Sequence, residues 1–156
     1  MYEQDNALTH QFNKVIAKGD EAAAAMLLSK YPHATVLMFS GRLLLEDEIF
    51  CICKALRENT TIKCLNLAEN NIDDKILNHV CALVQVNRTI TDLHLQENCI
   101  TISGLKELNR AIESNKILTY INLHGNILQY DDLDGQIAYG IDKRLSSFFD
   151  LYRENL

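Results

Sequence analysis

The sequence predicts an α/β fold: a short solenoid of about four repeats, each a strand followed by a helix. Three observations carry that expectation. First, residues 62–72, 90–100 and 118–128 fall into register when the chain is slid against itself by 28 residues. Second, the apolar residues alternate within each of these segments and then switch to helical spacing, the signature of a strand feeding a helix. Third, asparagine recurs at two places in the period: Asn70, Asn98 and Asn126 after the strands, and Asn59, Asn87 and Asn115 at the ends of the second halves. Parallel strands then line a concave face, helices a convex one, and helical caps close both ends.

The elements follow in order. Leu8, Phe12, Val15 and Ile16 lie on one face of a helix over 3–18, with Gly19 as its stop. Asp20 caps a second helix that ends before Pro32. Residues 1–32 thus form a helical hairpin that caps the open side of the first repeat. That cover also accounts for the apolar Leu45 and Phe50, where later repeats carry polar residues. Residues 33–130 hold the repeats. Leu65/Leu67, Leu93/Leu95 and Ile121/Leu123 face inward from the strands. Ile49, Ile52 and Leu56, then Ile76, Leu77, Val80, Leu83 and Val84, then Leu105, Leu108, Ala111 and Ile112 form the helical stripes. The period fails at Gln136 and Gly140. Ile137, Ile141, Leu145, Phe148 and Tyr152 then predict a capping helix over 136–153 within a terminal unit of 131–156, approached through a solvated 131–134 region. The three units make one continuous structural domain.

All three aligned segments read L-x-x-L-x-L-x-x-N-x-L, with Ile allowed for Leu. The pattern resembles the leucine-rich repeat of the long, ribonuclease-inhibitor-like type, over about residues 34–130. One step further back, Ala34, Leu37, Phe39 and Leu44 fill the apolar positions but Arg42 replaces Asn, as in a degenerate terminal repeat. Repeats of this kind are similar to those of ribonuclease inhibitor, tropomodulin and NOD-like receptors, and to those of effectors that intracellular bacteria deliver into host cells. Small size with a helical N-terminal cap is most similar to the last group. The resemblance implies protein binding and, by the ribonuclease-inhibitor analogy, inhibition of an enzyme. The Asn70, Asn98 and Asn126 ladder is read as structural, its amides pairing with backbone groups at each bend.

Composition narrows the partners. The chain carries 15 Lys plus Arg against 21 Asp plus Glu, a net charge of −6, and no segment is basic. A counterion-releasing grip on nucleic acid and adhesion to an anionic membrane are both disfavoured. Apolar runs are too short for a membrane span, and the acidic start does not read as a secretory signal. Five cysteines, an odd number in apolar surroundings, fit a reducing, cytoplasmic compartment, with delivery into a host cytosol implied by the effector resemblance. The sequons at Asn59 and Asn87 then carry no glycan.

Catalytic signatures are missing from the sequence: no phosphate-cradling glycine loop, zinc helix motif or nucleophile elbow occurs. His94 and His124, with Asp92 and Glu97, are the one set with the residue types to meet over a metal, but an open sheet rarely supplies convergent ligands; no metal, cofactor or enzymatic activity is expected. The variable outward positions instead predict a recognition surface. They are Met38, Cys64, Asn66, Glu69, Asp92, His94, Gln96, Glu97, Tyr120, Asn122 and His124. The alternative is that the hairpin covers Val36 and Met38. A monomer that binds a protein partner is the expectation, with inhibition of an enzyme as its sharper form; a scaffold that recruits without inhibiting is the alternative.

Overall fold

A computed structural model of the protein describes residues 2–127 and 141–142. Four three-residue strands run parallel and in chain order: β1 (Val36–Met38), β2 (Cys64–Asn66), β3 (Asp92–His94) and β4 (Tyr120–Asn122). Each pairs with the residue 28 positions on: Leu37 with Leu65, Leu65 with Leu93, and Leu93 with Ile121. Helices α3 (Glu46–Leu56), α4 (Asp74–Val86) and α5 (Ile102–Glu113) connect them and pack in succession. Their expected stripes are buried with the inward strand residues in one apolar core, Ile76 at its margin. This is a short solenoid, strands on one side and helices on the other. Among the described residues no helix is long and apolar enough to cross a membrane.

The asparagines join the turns of the coil. Asn98 Oδ1 accepts the N–H groups of Asn70 (3.0 Å) and Ile72 (2.9 Å), while its amide donates to Leu67 O and Leu95 O. Asn70 treats Leu44 N–H and Phe39 O alike, and Asn126 treats Ile100 N–H and Leu95 O alike. A second ladder stands at the other end of the repeat. Asn87 Oδ1 accepts from Thr89 and Ile90, and its amide donates to Leu56 O; Asn115 accepts from Ile117 and Leu118 and donates to Val84 O. Asn87 is buried, so its sequon offers no room for a glycan.

The N-terminal hairpin forms as expected, from α1 (Tyr2–Ile16) and α2 (Glu21–Ser29). Asp20 caps α2 by accepting Ala23 N–H at 2.8 Å, and Gly19 takes φ 66, a conformation that suits glycine. α1 packs on β1 and α2 on α3. Asp5, unremarked in the sequence reading, is buried and accepts the N–H groups of Thr35 (2.7 Å) and Val36 (3.0 Å). In the next repeat Thr35 O accepts the N–H groups of Lys63 and Cys64. The carboxylate therefore stands where a preceding repeat would place a carbonyl.

Two expectations need correction. The hairpin does not account for Leu45 and Phe50: Leu45 is 69% exposed, while the Phe50 ring lies 5.2 Å from His79 of α4 and under Lys54. At the C-terminal end, Ile141–Asp142 form a short strand, β5, antiparallel to β4, where the capping helix over 136–153 was expected. An apolar residue at a sheet edge serves a strand as well as a helical stripe, and the open donors of β4 favour pairing. The rest of that helix, and the 131–134 approach, lie outside the described residues.

Asn98→Ala strands two backbone N–H groups in the core and is expected to cost about 3–5 kcal/mol. Asn126→Ala, which strands one at a half-buried position, is expected to cost about 1–2 kcal/mol. Urea denaturation of the two variants checks the order.

Candidate functional surface

Strand register builds the concave face. Val36, Cys64, Asp92 and Tyr120 form one row, and Met38, Asn66, His94 and Asn122 the next. Beyond the strands the ladder continues: Gly41, Glu69 and Glu97 donate their N–H groups to Ala68 O, Gln96 O and His124 O. Ser40, Ala68, Gln96 and His124 make the third row, edged by Gly41, Glu69, Glu97 and Gly125. All four edge residues have positive φ, from 53° to 71°. Two glycines accept this conformation readily; the two glutamates are held in it by the ladder.

The expected site residues divide by environment. Met38 is 46% exposed, so the hairpin does not cover it, and its sulfur lies 3.9 Å from Asn66 Nδ2. The rings of His94 and Tyr120 sit 5.4 Å apart. His124 Nε2 is 3.7 Å from Glu97 Oε1, and Glu69 Oε1 accepts the Ser40 hydroxyl at 3.1 Å. Asp92 accepts the Thr91 hydroxyl. Asn66 and Asn122 each accept the N–H two residues on, at 3.0 Å, and so hold the turns that follow their strands. Gln96 Oε1 is buried without a donor. Ala68 is buried and offers a partner little.

The chemistry of these groups is that of contact. Cys64 stands in register with Asp92 rather than His94. Burial, then the nearby Asp92 and Asp5 carboxylates, push its thiol up to about 11. Burial likewise raises Cys53 and Cys81 to about 12 and Cys51 to about 11. These thiols are protonated near neutral pH and are poor nucleophiles. His94 and His124 face different neighbours, a tyrosine and a glutamate. Among the described residues no three of His, Cys, Asp and Glu converge on a point where a metal ion could sit.

Sequence reasoning missed the rim beside β1. Leu43 and Leu45 are 65% and 69% exposed. Leu43 has φ 53, where the second repeat places Asn71; Leu45 is the N-cap of α3, where later repeats use Asp73 and Thr101 with side-chain cap bonds. Glu48 compensates in part by accepting Leu45 N–H at 2.8 Å. The signal was present: leucine in two slots whose local geometry favours Asn, Asp or Thr.

Residues 58–78 and 86–108 match the family described as Leucine Rich repeat. With the solenoid and its asparagine ladders, that makes this a leucine-rich-repeat protein. Among solved structures it is similar to a chain titled "Leiomodin-1 Actin-Binding Site 2 (ABS2)", with a TM-score of 0.64 and 24% identity over 76% of this chain. This chain spans 66% of that one, just under two thirds. It is also similar to the tropomodulin C-terminal domain of Caenorhabditis elegans, with a TM-score of 0.62 and 11% identity, over 88% of this chain and 99% of that one. Comparison with curated protein sequences gives no match.

Two outcomes test this geometry. A Cβ at Gly125 would collide with the Glu97 carboxylate in a backbone of φ 71. That carboxylate is the free end of an exposed side chain and turns aside, so backbone strain dominates: Gly125→Ala is expected to cost about 1–2 kcal/mol, little changed in a Glu97→Gly background. A double-mutant cycle in urea measures the difference. Alkylation of Cys64 is expected to be roughly 100-fold slower at pH 8 than for an unperturbed thiol, its rate climbing until about pH 11. Mass spectrometry of iodoacetamide-treated protein follows it.

Proposed function

We propose that this chain is a non-catalytic protein-recognition module that binds a protein partner through the concave face and its adjoining rim. One observation carries the reading. The leucine and asparagine positions repeat from turn to turn, whereas the rows Cys64–Asp92–Tyr120 and Met38–Asn66–His94–Asn122 change at every step. The coil requires the first set and leaves most of the second free, Asn66 and Asn122 excepted because their side chains hold the turns that follow. Tyrosine is a frequent anchor of interfaces, and methionine adapts to irregular partners.

Area sets how the partner must sit. Four short strands at ~4.8 Å spacing offer a floor of only about 250 Å², against about 800 Å² per partner in a standard interface. Binding therefore extends to the edge and to the exposed Leu43 and Leu45. The leiomodin neighbour is titled as an actin-binding site, which makes actin the first protein to try. The module is monomeric before it binds, and its protonated thiols suit a reducing cytoplasm. Covering an enzyme's active site is the sharper form of this reading; recruitment without inhibition is the alternative. Adding the purified protein to its partner's assay separates them, since a recruiter leaves turnover unchanged.

Asp92→Lys with Glu97→Lys is expected to weaken capture of the partner at least tenfold. Lys106→Glu on the exposed side of α5 is expected to leave it unchanged. Equal capture by the concave variant and the wild type would overturn the surface assignment.

A further inference from the structure

The chemistry of the concave face, taken as the binding surface just proposed, selects a particular kind of segment. Its three rows and edge contain three carboxylates, Glu69, Asp92 and Glu97, and neither lysine nor arginine. Around β3 and β4 the polar character is that of an acceptor. Asp92 and Glu97 carry charge, and Gln96 Oε1 is a buried oxygen lacking a donor, a state that a ligand N–H relieves after a small turn of this half-buried side chain. Asp92 is in register with Tyr120, whose ring meets that of His94 at 5.4 Å.

Acceptors beside an aromatic pair suit a guanidinium better than an ammonium. Arginine presents five donors in a planar fork, has no acceptor to leave unpaired, and stacks on aromatic faces. Lysine satisfies a carboxylate but neither forks nor stacks. Spacing adds a second requirement. Asp92 and Gln96 are four residue steps apart, roughly 13 Å of extended chain, with Glu97 one step beyond. A single side chain does not serve both ends, but two on the same face of an extended segment, at i and i+4, do.

We propose that the β3–β4 part of the concave face binds an extended, arginine-bearing segment of a protein partner. One guanidinium stacks on Tyr120 and His94 beside Asp92, and the second lies at Gln96 and Glu97. Charge complementarity chooses the occupant: an acidic or purely apolar segment brings no positive charge to the two carboxylates and no donor to the Gln96 carbonyl oxygen.

The test uses fluorescein-labelled peptides of sequence Gly-Arg-Val-Thr-Val-Arg-Gly, with lysine and glutamate versions, against the whole chain. Anisotropy is expected to show the arginine peptide binding at least tenfold tighter than the glutamate one and severalfold tighter than the lysine one. Amide shifts are expected to cluster at 92–97 and 120–124. Asp92→Asn with Glu97→Gln is expected to weaken the arginine peptide at least tenfold, and Tyr120→Leu to shrink the preference for arginine over lysine to that left by forked pairing alone. Equal binding of arginine and glutamate peptides, shifts elsewhere, or no binding at 1 mM would overturn the proposal. If the arginine preference is missing while the double lysine variant still loses its partner, the segment is wrong and the surface stands. If capture survives that variant, the surface assignment itself fails.

Discussion

Each of the first three turns of this coil is closed by an asparagine from the turn that follows it. The strand-to-helix bend leaves backbone N–H and C=O groups facing the core, where water cannot reach them and each unpaired group costs about 1–3 kcal/mol. An amide side chain presents an acceptor and two donors on one planar group, and it is short enough to sit inside the bend. Asn70 accepts Leu44 N–H, Asn98 accepts Ile72 N–H, and Asn126 accepts Ile100 N–H; in each case the served residue lies 26 positions earlier. The dependence therefore runs one way along the coil. Asn87 and Asn115 repeat it at the helix ends, each donating to a carbonyl 31 positions earlier. Apolar burial supplies the driving force, but these amides determine how far apart the turns lie.

The same rule explains why the first turn differs. An asparagine at position 42 would serve residue 16, which belongs to α1 and already sits in a helix, so Arg42 there leaves nothing unpaired. The opposite problem arises at the start of β1, where Thr35 and Val36 have no earlier carbonyl to accept their N–H groups. Asp5 supplies one carboxylate oxygen to both, and Thr9 Oγ1 approaches Met38 N–H at 3.4 Å. A helix can end a parallel sheet in this way because a carboxylate and a hydroxyl on the face it turns to β1 stand in for a preceding strand's acceptors. At the far edge β5 supplies backbone pairing to β4 instead.

Much of this was legible in the sequence, for physical reasons. Leu65, Leu93 and Ile121 could be placed because a period-2 signal repeated at 28 residues leaves no competing register. The hairpin was legible because Leu8, Phe12 and Ile16 form one stripe and Asp20 precedes Ala23 at capping distance. Asp5 was overlooked, although it lies three residues before Leu8 on that stripe; an isolated acidic residue near a terminus looks solvated until its partners 30 positions away are known. Phe50 was misjudged because a helix has two flanks, and spacing alone does not say whether a ring turns toward the preceding element or the next. The strand at Ile141–Asp142 escaped because a single apolar residue fits either period. Of the candidate surface, the rows were readable but the pairings within them were not: that Tyr120 meets His94, or that Glu97 lies over Gly125, depends on side-chain reach rather than sequence spacing.

What separates scaffold from surface is which residues the fold can exchange without cost. Asn66 and Asn122 sit on the concave face, yet their side-chain carbonyls already hold the turns to Ala68 and His124. They contribute shape more than choice. His94 occupies the same row without that duty, and Tyr120, Asp92 and Gln96 surround it with groups the coil does not need. The rim points the same way. Asparagine at 43 would suit the positive φ, as at Asn71, and aspartate or threonine at 45 would cap α3 with a side-chain bond, as Asp73 and Thr101 do for their helices, while an exposed leucine gains nothing from burial within the chain. Two departures from local preference in the segment between β1 and α3, both exposing apolar surface, are what the proposed cover by another macromolecule would explain. On the proposed reading, the free positions of the sheet and the exposed leucines of the rim form one surface, with apolar groups at its N-terminal end and acceptors with aromatic rings at the other.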